Sequence, residues 1–246
     1  MQGKIYSNTQ ILETDKRILQ SSRKISLAAG VLYLLTFVSI PSLVLYTQVK
    51  SASYILGAGP DTAAMIGGVL EIIVALAGIS TAVVLFPTLK KQNESLALGL
   101  IASRVLEASS IFIGVACILT IVTLRQIEAG TNALVTSHTL AILYDRIFLL
   151  SQSFMPAIND LLLGFLLYKS RLVPRGLSLI GIIGGPVLIA GYLAVVFGLV
   201  GQHDPLAGLS ALFVALFELS LGVWLVAKGF HSSVVIALES KNRVGE

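Results

Sequence analysis

Apolar residues run through the chain in six long stretches, at about residues 25–46, 63–87, 98–124, 147–168, 177–200 and 206–227, separated by short polar segments. Each reaches the roughly 20 residues that a helix needs to cross about 30 Å of hydrocarbon. Helices satisfy their own backbone groups in lipid, and runs this long do not alternate as strands do. The pattern therefore predicts an all-α fold, a polytopic bundle of six transmembrane helices. The polar segments carry turn chemistry: Gly57-Ala-Gly-Pro-Asp61, Lys90-Lys-Gln-Asn-Glu-Ser95, Arg171-Leu-Val-Pro-Arg-Gly176 and Gly201-Gln-His-Asp-Pro205. Asp61 is expected to cap the second helix and Pro205 to open the sixth.

No connection is long enough to form a second domain, so the expected organisation is an N-terminal tail (1–24), a membrane domain (25–230) and a C-terminal tail (231–246). Ile11, Leu12, Ile18 and Leu19 recur in the first tail at a spacing near seven, which suits a short interfacial helix; a flexible tail is the expected reading. The first apolar run has no small-residue cleavage pattern after it and is expected to be retained as a helix.

Composition agrees with a membrane protein. The 246 residues are 55% hydrophobic and 12% charged, with mean hydropathy +0.89, too little polar surface for a soluble domain. A net charge of +4 does not imply a nucleic-acid partner, because the basic residues lie between apolar runs rather than in one patch. They set a topology instead. Lys4, Lys16, Arg17, Arg23 and Lys24, then Lys90 and Lys91, then Lys169, Arg171 and Arg175, then Lys228, Lys241 and Arg243 make thirteen on one side. Only Lys50, Arg125 and Arg146 fall on the other, so both termini are expected in the cytoplasm.

The costly residues are those inside the spans. A charge near the middle of a membrane helix costs roughly 2.5–3.5 kcal/mol on insertion scales. The third run holds Arg104 and Glu107; Glu71, Asp160 and Glu218 lie in the second, fourth and sixth. Each acid sits on a stripe of small or polar residues: Gly67, Ala75 and Gly78 with Glu71; Ser103, Ser110 and Gly114 with Glu107; Ser153, Pro156 and Gly164 with Asp160; Ala211, Ala215 and Gly222 with Glu218. Small residues let membrane helices approach closely, so the acids are expected to face one another as a buried polar network. One arginine neutralises one or two carboxylates, Glu107 most simply; the remaining acids must be protonated, bind a cation or reach water. A proton relay and a static set of hydrogen-bonded acids both fit.

Pro41, Pro156 and Gly184-Gly-Pro186 free backbone carbonyls at membrane depth, as cavity-lining breaks do. Val105-Leu-Glu107-Ala-Ser109 resembles Leu216-Phe-Glu218-Leu-Ser220, and Ser39-Ile-Pro41 loosely matches Ser153-Phe-Met-Pro156, a faint sign of two inverted halves. His138, His203 and His231 are read as lying in loops or at the cytoplasmic end and form no zinc or haem motif; neither metal nor cofactor is expected. Gly57-Ala-Gly59 reads as a turn, and Tyr46, Tyr168 and Trp224 as interfacial anchors. No serine stands in a GxSxG context, and the single Cys117 excludes an intrachain disulfide.

Three functions remain open: a small proton- or cation-coupled transporter using Glu71, Arg104, Glu107 and Glu218 as a relay for a small-molecule or ion substrate, a structural or partner-binding protein whose charges only pack helices, and an intramembrane enzyme acting on a lipid. The carboxylates alone speak for the enzyme. The transporter is the reading adopted, with the lipid bilayer as surroundings and a homodimer through Gly and Ala faces left open.

Tyr54-Ile-Leu-Gly-Ala-Gly59, Phe86-Pro-Thr-Leu-Lys90, Asn93-Glu-Ser-Leu-Ala-Leu98, Ala102-Ser-Arg-Val-Leu-Glu107, Thr123-Leu-Arg125, Leu167-Tyr-Lys-Ser-Arg-Leu-Val-Pro-Arg175 and Trp224-Leu-Val-Ala-Lys-Gly-Phe230 carry a resemblance. Across about Ile25 to Phe230 the chain resembles the bacterial membrane proteins grouped as domain of unknown function 4386, with Ser-Arg-Val-Leu-Glu its most specific stretch. Asp160 and Ser151-Gln152 are less typical of that family. The resemblance implies a multi-pass protein of the bacterial inner membrane, with no activity attached.

Overall fold

The computed structural model describes residues 2–51, 53–57, 60–202 and 204–244, of which 2–11 and 242–244 by backbone alone. Ala58, Gly59 and His203, named above, lie outside the described residues. Six helical segments are long and apolar enough to cross a membrane, and no strand occurs among the described residues.

The first span begins as α1 (Gln2–Thr36), which tightens into a 3-10 turn at Phe37–Ser39 and resumes after Pro41 as the short α2 (Ser42–Leu45). The expected flexible tail is thus helical: the N-terminal residues extend the first span without a break. Ile18 and Leu19 pack against the core, which gives that extension its footing. Pro41 ends the regular helix because its ring lacks an N–H and crowds the preceding turn.

Spans two and three are α3 (Thr62–Leu89) and α4 (Glu94–Gln126). Asp61 does not cap α3, contrary to expectation; its carboxylate is drawn away to Tyr54, Gln126 and Arg125. Asn93 caps α4 instead, its Oδ1 accepting the Leu96 N–H at 3.0 Å, and Glu94 complements the positive end of the helix dipole.

The fourth span is longer than the apolar run suggests. It comprises a 3-10 turn at Gly130–Ala133, α5 (Leu134–Phe148), a π-helical turn at Leu149–Phe154 and α6 (Met155–Ser170). His138 and Arg146 therefore lie in α5 rather than in a loop. The π turn immediately precedes Pro156, whose missing N–H breaks the regular ladder. Span five, α7 (Arg175–Val196), continues through Pro186 without interruption, so only two of the three expected breaks form. Span six, α8 (Pro205–Ala227), opens on Pro205 as expected, and α9 (Ser232–Val244) follows.

The spans close into a ring in chain order. α1 packs on α3, α3 on α4, α4 on α5 and α6, α6 on α7, α7 on α8, and α8 back on α1. The closing contact depends on two glycines: a Cβ on Gly30 would stand 2.8 Å from the Gly222 carbonyl oxygen, so a side chain there would push α1 and α8 apart. At the end carrying Lys90, Lys169 and Lys228, the interior is filled by Leu85, Leu89, Leu100, Leu163, Leu221 and Leu225, all essentially inaccessible. Arg23 fastens this end by donating to the last carbonyls of α8, Leu225 O at 2.9 Å and Val226 O at 2.5 Å.

Candidate functional site

Above this apolar layer the interior turns polar, and it does so at two separate centres. The first is built on Arg104 of α4, a side chain 4% exposed. Its Nη1 donates to Glu107 Oε2 at 3.0 Å, one turn along the same helix, and its Nη2 to Glu218 Oε1 at 2.7 Å on α8. In the order of the ring α4 and α8 stand on opposite sides, so this second bond spans the interior. Tyr33 of α1 adds its hydroxyl 3.5 Å from Nη2, with its ring centroid 5.6 Å from the guanidinium. Asn159 of α6 donates from Nδ2 to Glu107 Oε2 at 2.8 Å. Four spans are thereby joined around one cation, and Gly78 of α3 packs beside its aliphatic stem, where even a Cβ would make only ordinary contact, 3.8 Å from Cδ.

Asp160, next to Asn159, is fully buried in electrostatic range of Arg104, Glu107 and Glu218, yet neither of its oxygens meets a hydrogen-bond donor among the described residues. Arg104, Glu107 and Glu218 are thus bonded to one another, with Asp160 buried near them and bonded to none of the three.

Glu71 does not join them. It lies nearer the end of the bundle away from the leucine layer, bonded by four donors and, among the described residues, by no cation: Tyr144 Oη at 2.6 Å, Gln152 Nε2 at 3.1 Å, and Ser42 Oγ and Tyr46 Oη at 3.4 Å each. Each donor has a structural cause. Ser42 and Tyr46 are brought in by the break in the first span, and Gln152 by the π turn of the fourth. Room for Tyr46 exists because α3 carries glycine one turn before Glu71: a Cβ on Gly67 would sit 2.5 Å from the Tyr46 ring. Gly114 of α4 likewise faces Tyr144, and the two tyrosines meet edge to face at 5.2 Å.

Tyr46 is therefore a buried member of a polar centre rather than an interfacial anchor. Tyr33, Asn159, Ser42, Tyr144 and Gln152 carry no motif in the sequence. The proline breaks were the available signal for Ser42 and Gln152, and adjacency to Asp160 the signal for Asn159.

Two cavities lie against these centres. One of about 210 Å³ has Arg104, Glu107 and Glu218 in its lining, together with Ala108, Gln152 and Ala215. The other, about 400 Å³, is lined by Tyr46, Lys50, Tyr144, Asp145, Gln152 and Tyr192 among others. Gln152 borders both. Lys50 and Asp145 pair at 2.5 Å in the wall of the larger one.

At the outer ends of α3 and α4, Asp61 accepts from Gln126 at 2.9 Å and pairs with Arg125 at 2.5 Å, with the Tyr54 hydroxyl as a further donor. Burial alone would raise the Asp61 carboxyl; the Tyr54 and Gln126 hydrogen bonds and the Arg125 charge outweigh it and hold the group below its ordinary value.

Together the fold and the paired charges define a multi-pass helical membrane protein with a charged interior beside cavities. The chain belongs to the family described as Domain of unknown function (DUF4386), which matches residues 28–229. Neither the curated proteins nor the solved structures compared contain a match to it.

Proposed function

We propose that this is a small proton- or cation-coupled transporter of the bacterial inner membrane, with both termini cytoplasmic and the Arg104 centre as its substrate floor. One observation carries the reading: Arg104, Glu107 and Glu218 line a cavity, while the leucine layer fills the interior between them and the lysine-rich end. Charges that only glue helices need no cavity beside them, because a packed interior with complete partners already compensates them. Here the network instead meets a space of about 210 Å³. In this scheme the guanidinium and the two carboxylates hold a small polar or charged solute, and the carboxylates that line the cavity exchange the coupling proton or cation.

The structural reading has its own support, since Arg104 is bonded to two carboxylates at once, which answers its charge within the bundle. Accessibility separates the two without knowledge of the substrate. In a Cys117→Ala background, Ala215→Cys in the cavity lining should react with a membrane-impermeant thiol reagent added to the side away from the termini. Sealed oriented vesicles in which it reacts from neither side would overturn the transporter reading and leave the helix-packing one.

A further inference from the structure

We propose that the Glu71 centre is a Na+ site, reached from the 400 Å³ cavity. As the identity of a coupling ion this rests on the transporter reading above; as a binding site it does not.

Two irregular segments of the membrane domain converge on this one carboxylate. The first span breaks at Phe37–Pro41 and delivers Ser42 and Tyr46; the fourth unwinds into a π turn at Leu149–Phe154 and delivers Gln152. Irregular turns at membrane depth are costly, and where they meet they commonly form ion sites. The convergence also solves a chemical problem. Glu71 is 1% exposed, and no ion-pair partner reaches it among the described residues, unlike Glu107 and Glu218.

The atoms available are those a hard cation takes. The Glu71 carboxylate, Ser42 Oγ, Tyr46 Oη and Tyr144 Oη are all oxygens within 3.4 Å of one another's shared carboxylate, and turning the Gln152 amide about its last bond presents Oε1 in place of Nε2. One carboxylate supplies one negative charge, which a monovalent ion balances and a divalent ion would exceed in so dry a site. Because these oxygens are already bonded to one carboxylate, the smaller Na+ needs less opening of the set than K+. Tyr46, Tyr144 and Gln152 all line the larger cavity, so the ion has a route in and the displaced hydroxyl protons can turn toward its water. Gln152 also borders the Arg104 cavity, so its reorientation on ion binding is felt by both centres.

The test uses the purified full-length protein in nanodiscs, read by thermal unfolding in NaCl, KCl and choline chloride at constant ionic strength, and by equilibrium binding of 22Na+. Na+ should raise the unfolding temperature, choline and K+ should not, and 22Na+ should bind at one site. Glu71→Gln should abolish both responses. Tyr144→Phe, which keeps the carboxylate but removes the hydroxyl oxygen nearest to it from the set, should weaken Na+ by about tenfold or more, at least the loss found for an outer-shell partner. Wild-type protein with no saturable 22Na+ binding, or stabilised equally by K+, overturns the proposal even if the Ala215→Cys labelling succeeds. Should Glu71→Gln not fold, the Tyr144→Phe affinity decides: unchanged Na+ affinity there also overturns it.

Discussion

Glu107 and Glu71 are both glutamates in the interior of neighbouring helices, and the bundle compensates them in opposite ways. Glu107 has a guanidinium at 3.0 Å and shares it with Glu218, so the charge is answered by charge. Glu71 has only neutral hydroxyl and amide donors. The first solution is local and rigid: Arg104 and Glu107 lie one turn apart on an unbroken helix. The second is assembled from two broken spans and holds only while both keep their irregular turns. Glu107 and Glu218 are answered by a cation they share, whereas Glu71, the carboxylate proposed above to take an ion, is answered by neutral dipoles.

The largest effect should come from removing the shared cation. Arg104→Gln leaves Glu107 and Glu218 without a counter-charge, and breaking a buried pair on one side costs about 3–5 kcal/mol. Unfolding titrations in mild detergent should show it, and Arg104→Gln with Glu107→Gln should recover part of the loss. An Arg104→Gln protein as stable as wild type would mean the two centres are not compensated differently at all.

Next comes the space that lets Tyr46 reach Glu71. Gly67→Ala forces the Tyr46 ring off α3, a clash of the kind that costs about 1–3 kcal/mol. Its loss of stability should be accompanied by weaker 22Na+ binding, whereas Gly99→Ala, whose Cβ would meet only Leu162 at 3.9 Å, should change neither.

Single neutral donors should matter less than the cation. Tyr144→Phe removes one interhelical hydrogen bond, which in membrane proteins averages about 0.6 kcal/mol. A loss in sodium-free buffer as large as that of Arg104→Gln would contradict the neutral-donor description.

The smallest effect lies outside the spans and depends on pH. Asp61 has a folded-state value below its ordinary 3.8, so its contribution is fully present above that value and is lost as pH falls through the depressed one. Because the carboxylate is partly exposed, the contribution is modest. Unfolding of wild type and Asp61→Asn should converge as the pH is lowered below the ordinary value, and a gap that widens instead would reverse the assigned sign.

Much of the architecture is legible in the chain. Six apolar runs specify six spans because lipid admits few alternatives, and Arg104 with Glu107 three residues on specifies a local pair because helix geometry allows little else. The fourth span shows where that reading stops. His138 and Arg146 fall between the third and fourth apolar runs and read as loop residues, yet α5 is helical because Ala141 and Tyr144 find a packed surface on α4. Tyr144, lost with that loop, is the nearest partner of Glu71.

The sequence by itself determined the class of fold, the number of spans and the identity of the buried charges, since each follows from length, hydropathy or a spacing of a few residues. Only the tertiary structure decided that Glu218 reaches Arg104 across the ring and that Glu71 stands apart with Tyr46, Tyr144 and Gln152. Those partners come from different helices, and which helices meet, and at what depth, depends on glycine contacts and helix breaks that act over distances no local spacing encodes.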